Sequence, residues 1–349
     1  MKPDFTLKLL NWNRSSNNRQ MPWKGEKDPF RIWLSEIILQ QTRVEQGLRY
    51  YEQFIRAFPS IHHLAAADEA TVYKLWEGLG YYSRCKNLIT TAKKIVEEYN
   101  GTFPDTYDDI KKLKGIGPYT AAAISSFAFN EAKAVVDGNV QRVIARYFGI
   151  STPINTTEGK KLYQDLAESL LDTDEPGTYN QAIMDFGALI CKPQQPLCGI
   201  CVQQQDCEAF KYGFVKMLPV KKKLIEKKHR WFNYFIFENG NKVLIRQRQE
   251  KDIWQRLHEF VLLETEGPVN NFDHSTFLQT LMNNQPYSII SSSKNYRQLL
   301  THQVIHGQFI KVKPLKSFPS VDGYTLINKD SINQFAFPKL INSYLVSED

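Results

Sequence analysis

Apolar residues recur three and four apart from Asp4 to about Phe210 and then give way to short strand-like runs, so the chain changes structural class part-way along. One helix opens with Asp28 as its cap and Pro29 at its first position, then sets Phe30, Trp33, Leu34, Ile37 and Ile38 at helical spacing. Another starts at Thr106, where the hydroxyl and the carboxylate of Asp109 can satisfy free amides ahead of Ile110–Leu113. Near Gly213 the pattern breaks, and Pro219 leads a strongly basic run to Arg230 that reads as a connector. Beyond it Trp231–Phe237 and Lys242–Gln247 are β-rich and flank Asn239-Gly240, a strong short-range hairpin signal. Glu259–Glu264 and Phe309–Lys313 add further strands. The expected layout is an all-α unit over 1–212, a basic linker over 213–230 and a small α/β unit over 231–349.

The length of 349 residues allows two or three domains and a sizeable core. A formal net charge of +7, from 44 Lys and Arg against 37 Asp and Glu, permits a polyanionic partner without requiring one. The first residues have no sustained apolar region, and no stretch of about 18 apolar residues appears anywhere. A soluble, monomeric, cytoplasmic protein with no membrane contact is expected.

Candidate chemistry is concentrated in a few short segments. Cys191, Cys198, Cys201 and Cys207 follow the spacing C-x6-C-x2-C-x5-C, which brings four thiolates into one loop. By spacing alone this fits an iron-sulfur cluster or a four-cysteine zinc site, although zinc sites usually pair two short units and only Cys198–Cys201 is short here. Cys85 stands apart and reads as a small core residue. Gly115 and Gly117 lie just before an Ala-rich helix, where they allow either a tight turn whose amides bind a phosphate oxygen or an ordinary helical corner. Asp137-Gly-Asn139 reads as a turn, and Glu36 is either a solvated helix position or a desolvated carboxyl with a raised pKa.

Taken together, Leu113-Lys-Gly-Ile-Gly-Pro-Tyr-Thr-Ala121, Val136-Asp-Gly-Asn-Val140 and the cysteine spacing resemble the helix-hairpin-helix DNA glycosylases that carry an iron-sulfur cluster, and within them the MutY-type adenine DNA glycosylases. Met21-Pro-Trp-Lys24, Trp33–Thr42, Trp76–Arg84, Val136–Val143 and Tyr179–Gly187 support the likeness, which covers nearly all of the first 210 residues. The resemblance implies a six-helix subdomain over about 28–136 with its hairpin at 113–124, and a cluster subdomain made of 1–27 plus 137–212. It also implies one 4Fe-4S cluster on the four cysteines and a Nudix-like lesion-recognition domain over 231–349. The implied partner is double-stranded DNA containing adenine mispaired with 8-oxoguanine or guanine.

Site roles follow from the same resemblance. Glu36 is the general acid toward the adenine ring and Asp137 the ionised group beside the sugar, with Tyr119 and Asn139 positioning them. Gln41 and Tyr81 wedge between bases, Lys114, Gly115 and Gly117 contact phosphate, and Trp23, Leu39 and Gln181 line the adenine pocket. Endonuclease III, a pyrimidine glycosylase and lyase, carries a lysine directly before the hairpin threonine, and here Tyr119 holds that place, so a monofunctional glycosylase is expected. A non-catalytic, redox-sensitive DNA-binding protein is the alternative from another class. The glutamate-rich Nudix hydrolase signature is absent between Asn241 and Gly267, so nucleotide hydrolysis is not expected. The family's lesion-reading loop usually contains Phe-Ser-His, and the matching stretch is taken as Val304-Ile305-His306, where isoleucine cannot donate a hydroxyl hydrogen bond; His302 and His306 remain the candidate contacts.

Overall fold

A computed structural model describes residues 2–222, 226–269, 272 and 276–348. The chain forms two compact units, one of Met1–Ala66 with Lys86–Lys223 and one of Ala67–Cys85 with Leu224–Asp349.

Helices dominate the first stretch, and among the described residues no strand precedes Lys228. They are α1 (Lys2–Ser16), α2 (Pro29–Leu39), α3 (Val44–Ala57), α4 (Ile61–Ala66), α5 (Glu69–Trp76), α6 (Ser83–Tyr99), α7 (Tyr107–Lys111), α8 (Pro118–Phe129), α9 (Gly138–Tyr147), α10 (Thr157–Leu170), α11 (Pro176–Leu189) and α12 (Glu208–Lys211). The sequence signals explain two of the starts. Asp28 caps α2 by accepting from Phe30 N at 2.9 Å, with Pro29 behind it. Thr106 caps α7 through Asp109 N, but the Asp109 carboxylate takes the Thr106 hydroxyl and Lys112 instead of a backbone amide. One core joins Phe5, Leu9 and Trp12 of α1 to Val140, Val143 and Ile144 of α9, Tyr163 of α10 and Phe186 of α11. That packing fixes the N-terminus of α9, where one candidate acid lies.

The expected linker is only partly a connector. Ile154 N donates to Val220 O at 3.0 Å and Asn155 exchanges two hydrogen bonds with Lys222, so this half is tied to the first unit. Lys223, Leu224 and Ile225 lie outside the described residues. Lys228–Arg230 already form sheet, paired with Gln303–Ile305.

In the second unit β1 (Lys228–Asn239) is followed by β2 (Lys242–Gln247), β3 (His258–Glu259), β4 (Val261–Thr265), α13 (Thr276–Leu281), β5 (Tyr287–Ser292), β6 (Tyr296–Leu299), β7 (Gln303–Pro314), β8 (Thr325–Asn328) and α14 (Lys339–Glu348). The sheet is mixed: β1 and β7 run parallel at its centre, and β2, β4, β5, β6, β8 and β3 join antiparallel. Asn239 pairs with Lys242, leaving a two-residue turn whose Gly240 has φ +57°. The expected strand over Glu259–Glu264 is instead two pieces, because Glu259 pairs with Arg246 of β2 whereas Val261 pairs with Phe235 of β1. Phe235, Phe237, Leu244, Ile310 and Val312 fill the core with Leu278 and Met282.

Residues 67–85 were expected within the helical domain, yet they pack in the second unit. Lys74 Nζ donates to Phe335 O at 3.0 Å, and Phe337 N donates to Glu77 Oε1 at 2.8 Å.

Candidate active site

Helix α2 is apolar on nearly every side, which carries Glu36 into the interior with only 8% of its surface exposed. Asp137 is the residue just before α9, and Tyr119 lies in the first turn of α8. These three elements converge on one cavity of about 590 Å³, lined by Glu36, Tyr119, Asp137 and Asn139 together with Trp23, Leu39, Gln41 and Gln181. A volume of that order suits a small-molecule-sized group. Residues as far apart in sequence as Asn13 and Met184 thus share one chamber.

The two acids have different surroundings. Burial raises the Glu36 carboxyl to about 7; the charge of Asp137 adds to the rise, and a hydrogen bond from Tyr119 opposes it. Glu36 therefore keeps its proton to much higher pH than an ordinary carboxyl. Asp137 is also pushed up by burial, but its Oδ1 accepts from Asn139 N and Val140 N at 2.8 Å each and its Oδ2 accepts from Asn139 Nδ2 at 2.7 Å. Those donors favour the charged form, as does the N-terminal end of α9. Asp137 is thus the member of the pair whose charged form has the stronger local support. The Tyr119 phenol is raised well above its usual value by burial and by both carboxylates, so it stays a neutral donor, and it lies 3.8 Å from Met184 Sδ.

Sequence reasoning missed two supports of this site. Arg142 donates to Asn139 Oδ1 at 2.8 Å, to Gly187 O at 2.7 Å and to Cys191 O at 2.7 Å, so one guanidinium links the Asp137 turn to the start of the cysteine loop. The signal was present, since Asn139 and Arg142 are one helical turn apart. Asp185, fully buried, accepts from Gln181 Nε2 at 3.0 Å and Arg19 Nη1 at 2.9 Å and pairs with Lys24 at 3.1 Å. A lone Asp on an apolar helix gives no sequence sign of such partners.

Residues 34–169 match the family described as HhH-GPD superfamily base excision DNA repair protein. The chain is 38% identical over 259 residues to the adenine DNA glycosylase of Buchnera aphidicola subsp. Baizongia pistaciae, covering 73% of each. The chain belongs to the adenine DNA glycosylase family. It is accordingly an enzyme of the DNA glycosylase class that serves base excision repair. The adenine DNA glycosylase of Mus musculus is 40% identical over 216 residues, 59% of this chain and 42% of its own. Among solved structures, a thermostable thymine-DNA glycosylase matches with a TM-score of 0.56 and 29% identity over 60% of this chain and 97% of its own. A non-covalent endonuclease III–DNA complex matches at TM-score 0.51 and 19% identity over 61% of this chain and 98% of its own, which shows the shared fold.

The other residues singled out for this adenine DNA glycosylase family member lie as follows. Gly115 has φ +79° and a Cβ there would come within 2.6 Å of Asn87, so glycine is required on both counts. Gly117 caps α8 with no side-chain bond and open space beside it, and Lys114 is exposed. Gln41 and Tyr81 both hold left-handed backbone, φ +56° and +50°, a strained state for non-glycine residues, and both side chains are exposed.

Cys191, Cys198, Cys201 and Cys207 line one small pocket with Arg146, whose Nη1 is 3.4 Å from Cys191 Sγ. Among the described residues no group of three His, Cys, Asp or Glu has the geometry of a single-ion site. Cys85 is fully buried.

The lesion loop assigned from sequence requires correction. Val304 and Ile305 are buried strand residues of β7, 2% and 0% exposed, and cannot form an exposed loop. His306 is also in β7, stacked on Trp231 at 5.0 Å and hydrogen-bonded to His229 at 3.1 Å. The turn lies four residues earlier, at Leu300-Thr301-His302, with Thr301 and His302 exposed, and is closed by Leu300 N donating to Gln303 O. Among the described residues no helix is long and apolar enough to cross a membrane.

Proposed function

We propose that this glycosylase hydrolyses the N-glycosidic bond of adenine mispaired with 8-oxoguanine or guanine in duplex DNA. The observation that carries this reading is the pair of unlike carboxyls on one cavity, Glu36 buried in an apolar helix and Asp137 capped by two amides. The target bond is inaccessible in the stack, so the nucleotide must swing out, at a cost of a few kcal/mol. Gln41 and Tyr81, each on left-handed backbone, are the groups assigned to fill the gap. Glu36 gives its proton to a ring nitrogen as the bond to the sugar breaks and its electron pair leaves with the base. Asp137 remains charged beside the oxocarbenium-like sugar, and water completes the exchange at the same carbon while the Glu36 carboxylate accepts its proton. Gln181, fixed through Asp185, and Trp23 and Leu39 form the base pocket.

The second unit is assigned a Nudix-like, lesion-reading role. Thr301 and His302 at the exposed turn are the groups presented to the base opposite adenine, and the threonine supplies the hydroxyl that Ile305 lacks. His306, on its strand, supports the sheet instead.

The four cysteines fit a 4Fe-4S cluster, since all face one pocket and Arg146 offers a cation beside Cys191. Bound there, the cluster supplies shape and order to the cysteine loop and no chemistry at the base. Cys201→Ser is expected to lose iron, with purified wild-type protein giving about four iron and four sulfide per chain. About one zinc per chain and no sulfide overturns the assignment.

The activity is tested on 8-oxoguanine:adenine, guanine:adenine and thymine:adenine duplexes with alkali strand scission. Adenine release from the first two, with no strand break before alkali and no borohydride-trapped adduct, is the expected result; a trapped adduct dependent on lysine favours the lyase reading, which Tyr119 opposes.

A further inference from the structure

Tyr81 does not stand alone in the second unit. Four residues before it, Glu77 Oε1 accepts from Phe337 N at 2.8 Å and from Asn342 Nδ2 at 2.9 Å, while Oε2 pairs with Lys74 Nζ at 2.6 Å. Lys74 Nζ reaches on to Phe335 O at 3.0 Å. The same C-terminal stretch is held from its other side: His258 N of β3 donates to Ala336 O at 2.8 Å, and Phe337 stacks on Phe260 at 5.8 Å. A line of hydrogen bonds thus runs from the sheet through Ala336-Phe337 to Glu77. The Glu77 side chain is only 17% exposed, so its bonds to N–H groups are charge-assisted and largely screened from water.

At the other end of this short segment, Tyr81 adopts its left-handed backbone with its hydroxyl 3.2 Å from Thr301 Oγ1 and the Arg84 guanidinium 5.4 Å over its ring. A strained conformation persists only where its surroundings over-determine it. Arg84 N is bonded to Tyr81 O at 2.8 Å, Trp76 Nε1 and Arg84 Nη2 hold Gly80 O at 3.1 and 3.2 Å, and Glu77 ties the start of the same segment to residues 335–342.

We propose that Glu77 is a positioning residue for recognition of the base opposite adenine. It clasps residues 335–342 and so holds Tyr81 against the Thr301-His302 turn, which makes the wedge and the reader a single surface. The proposal rests on the reading above of Tyr81 and of that turn as DNA contacts.

The test uses full-length, cluster-loaded protein and duplexes with 8-oxoguanine or guanine opposite a non-cleavable adenine analogue. Glu77→Ala is expected to lower the ratio of the two affinities by about tenfold, the scale of one charge-assisted hydrogen-bond pair. Glu77→Gln, which keeps a carbonyl acceptor, should restore most of it. The Glu77→Ala/Tyr81→Ala double variant should match Tyr81→Ala alone, because a residue acting through Tyr81 has nothing left to position. An unchanged ratio in Glu77→Ala, or losses that add in the double variant, overturns the proposal. Amide exchange separates it from the reading beneath it. If wild-type protein shows no preference between the duplexes, the recognition reading fails; faster exchange at Phe337 and Arg84 in Glu77→Ala still establishes the clasp, and unchanged exchange at both removes it.

Discussion

Glu36→Gln is expected to cut adenine release by about 10²–10⁴-fold while leaving duplex binding in place, because the amide keeps the shape of the carboxyl but has no proton to give at neutral pH. Burial raises Glu36 to about 7, so the wild-type rate should fall as pH climbs through that value. The same shift has a stability consequence of defined sign. A carboxyl whose pKa is higher folded than unfolded binds protons more tightly in the native state, so its contribution to stability is full below about 4.5 and is lost as pH rises toward about 7. The loss is on the order of 3 kcal/mol as an upper figure, since the cavity admits water. Glu36→Gln does not titrate. It should therefore melt at a higher temperature than wild type at pH 8 and at nearly the same temperature at pH 4.5. Melting curves that stay superimposed at pH 8 would show that Glu36 is not held in a desolvated site, and persisting excision in the variant would remove it as the acid.

Local signals in the sequence reached the site further than the fold around it. Asp28-Pro29 marks the start of α2 because capping and proline geometry act over three residues, and once α2 is placed its all-apolar face buries Glu36. Gly115 is legible because its backbone and its contact with Asn87 both exclude a side chain. Asn239-Gly240 fixed the first hairpin for the same local reason. What could not be read depends on partners distant in sequence. Glu69–Trp76 has the spacing of any amphipathic helix, and only the bonds of Lys74 and Glu77 to Phe335, Phe337 and Asn342 reveal which unit residues 67–85 join. Val304-Ile305-His306 matches the Phe-Ser-His loop pattern only in its last residue, and a three-residue pattern ending in histidine fits a strand as well as a loop; the parallel pairing with β1 decides between them. Arg142 and Asp185 look like ordinary helix residues until the cysteine loop and the basic residues near Lys24 are brought beside them.

Asp137→Asn separates the two roles this residue holds. Asparagine caps a helix about as well as aspartate, so Oδ1 can still accept from Asn139 N and Val140 N and the start of α9 should survive, although the new amide NH2 can no longer accept from Asn139 Nδ2 and that one bond is lost. The charge is what disappears. If Asp137 stabilises the oxocarbenium-like sugar, single-turnover excision should drop by about 10²–10³-fold, the usual scale for removing one preorganised electrostatic group. A second signature follows from coupling within the cavity. The Asp137 charge contributes to holding the Glu36 carboxyl up, so its removal should lower that pKa and move the alkaline fall-off of the residual rate below about 7. Both changes are read from one pH–rate series on wild type and variant. A variant that excises at near wild-type rate with an unmoved alkaline limb would leave Asp137 as a helix cap alone, and the charge balance of the reaction would have to be supplied elsewhere.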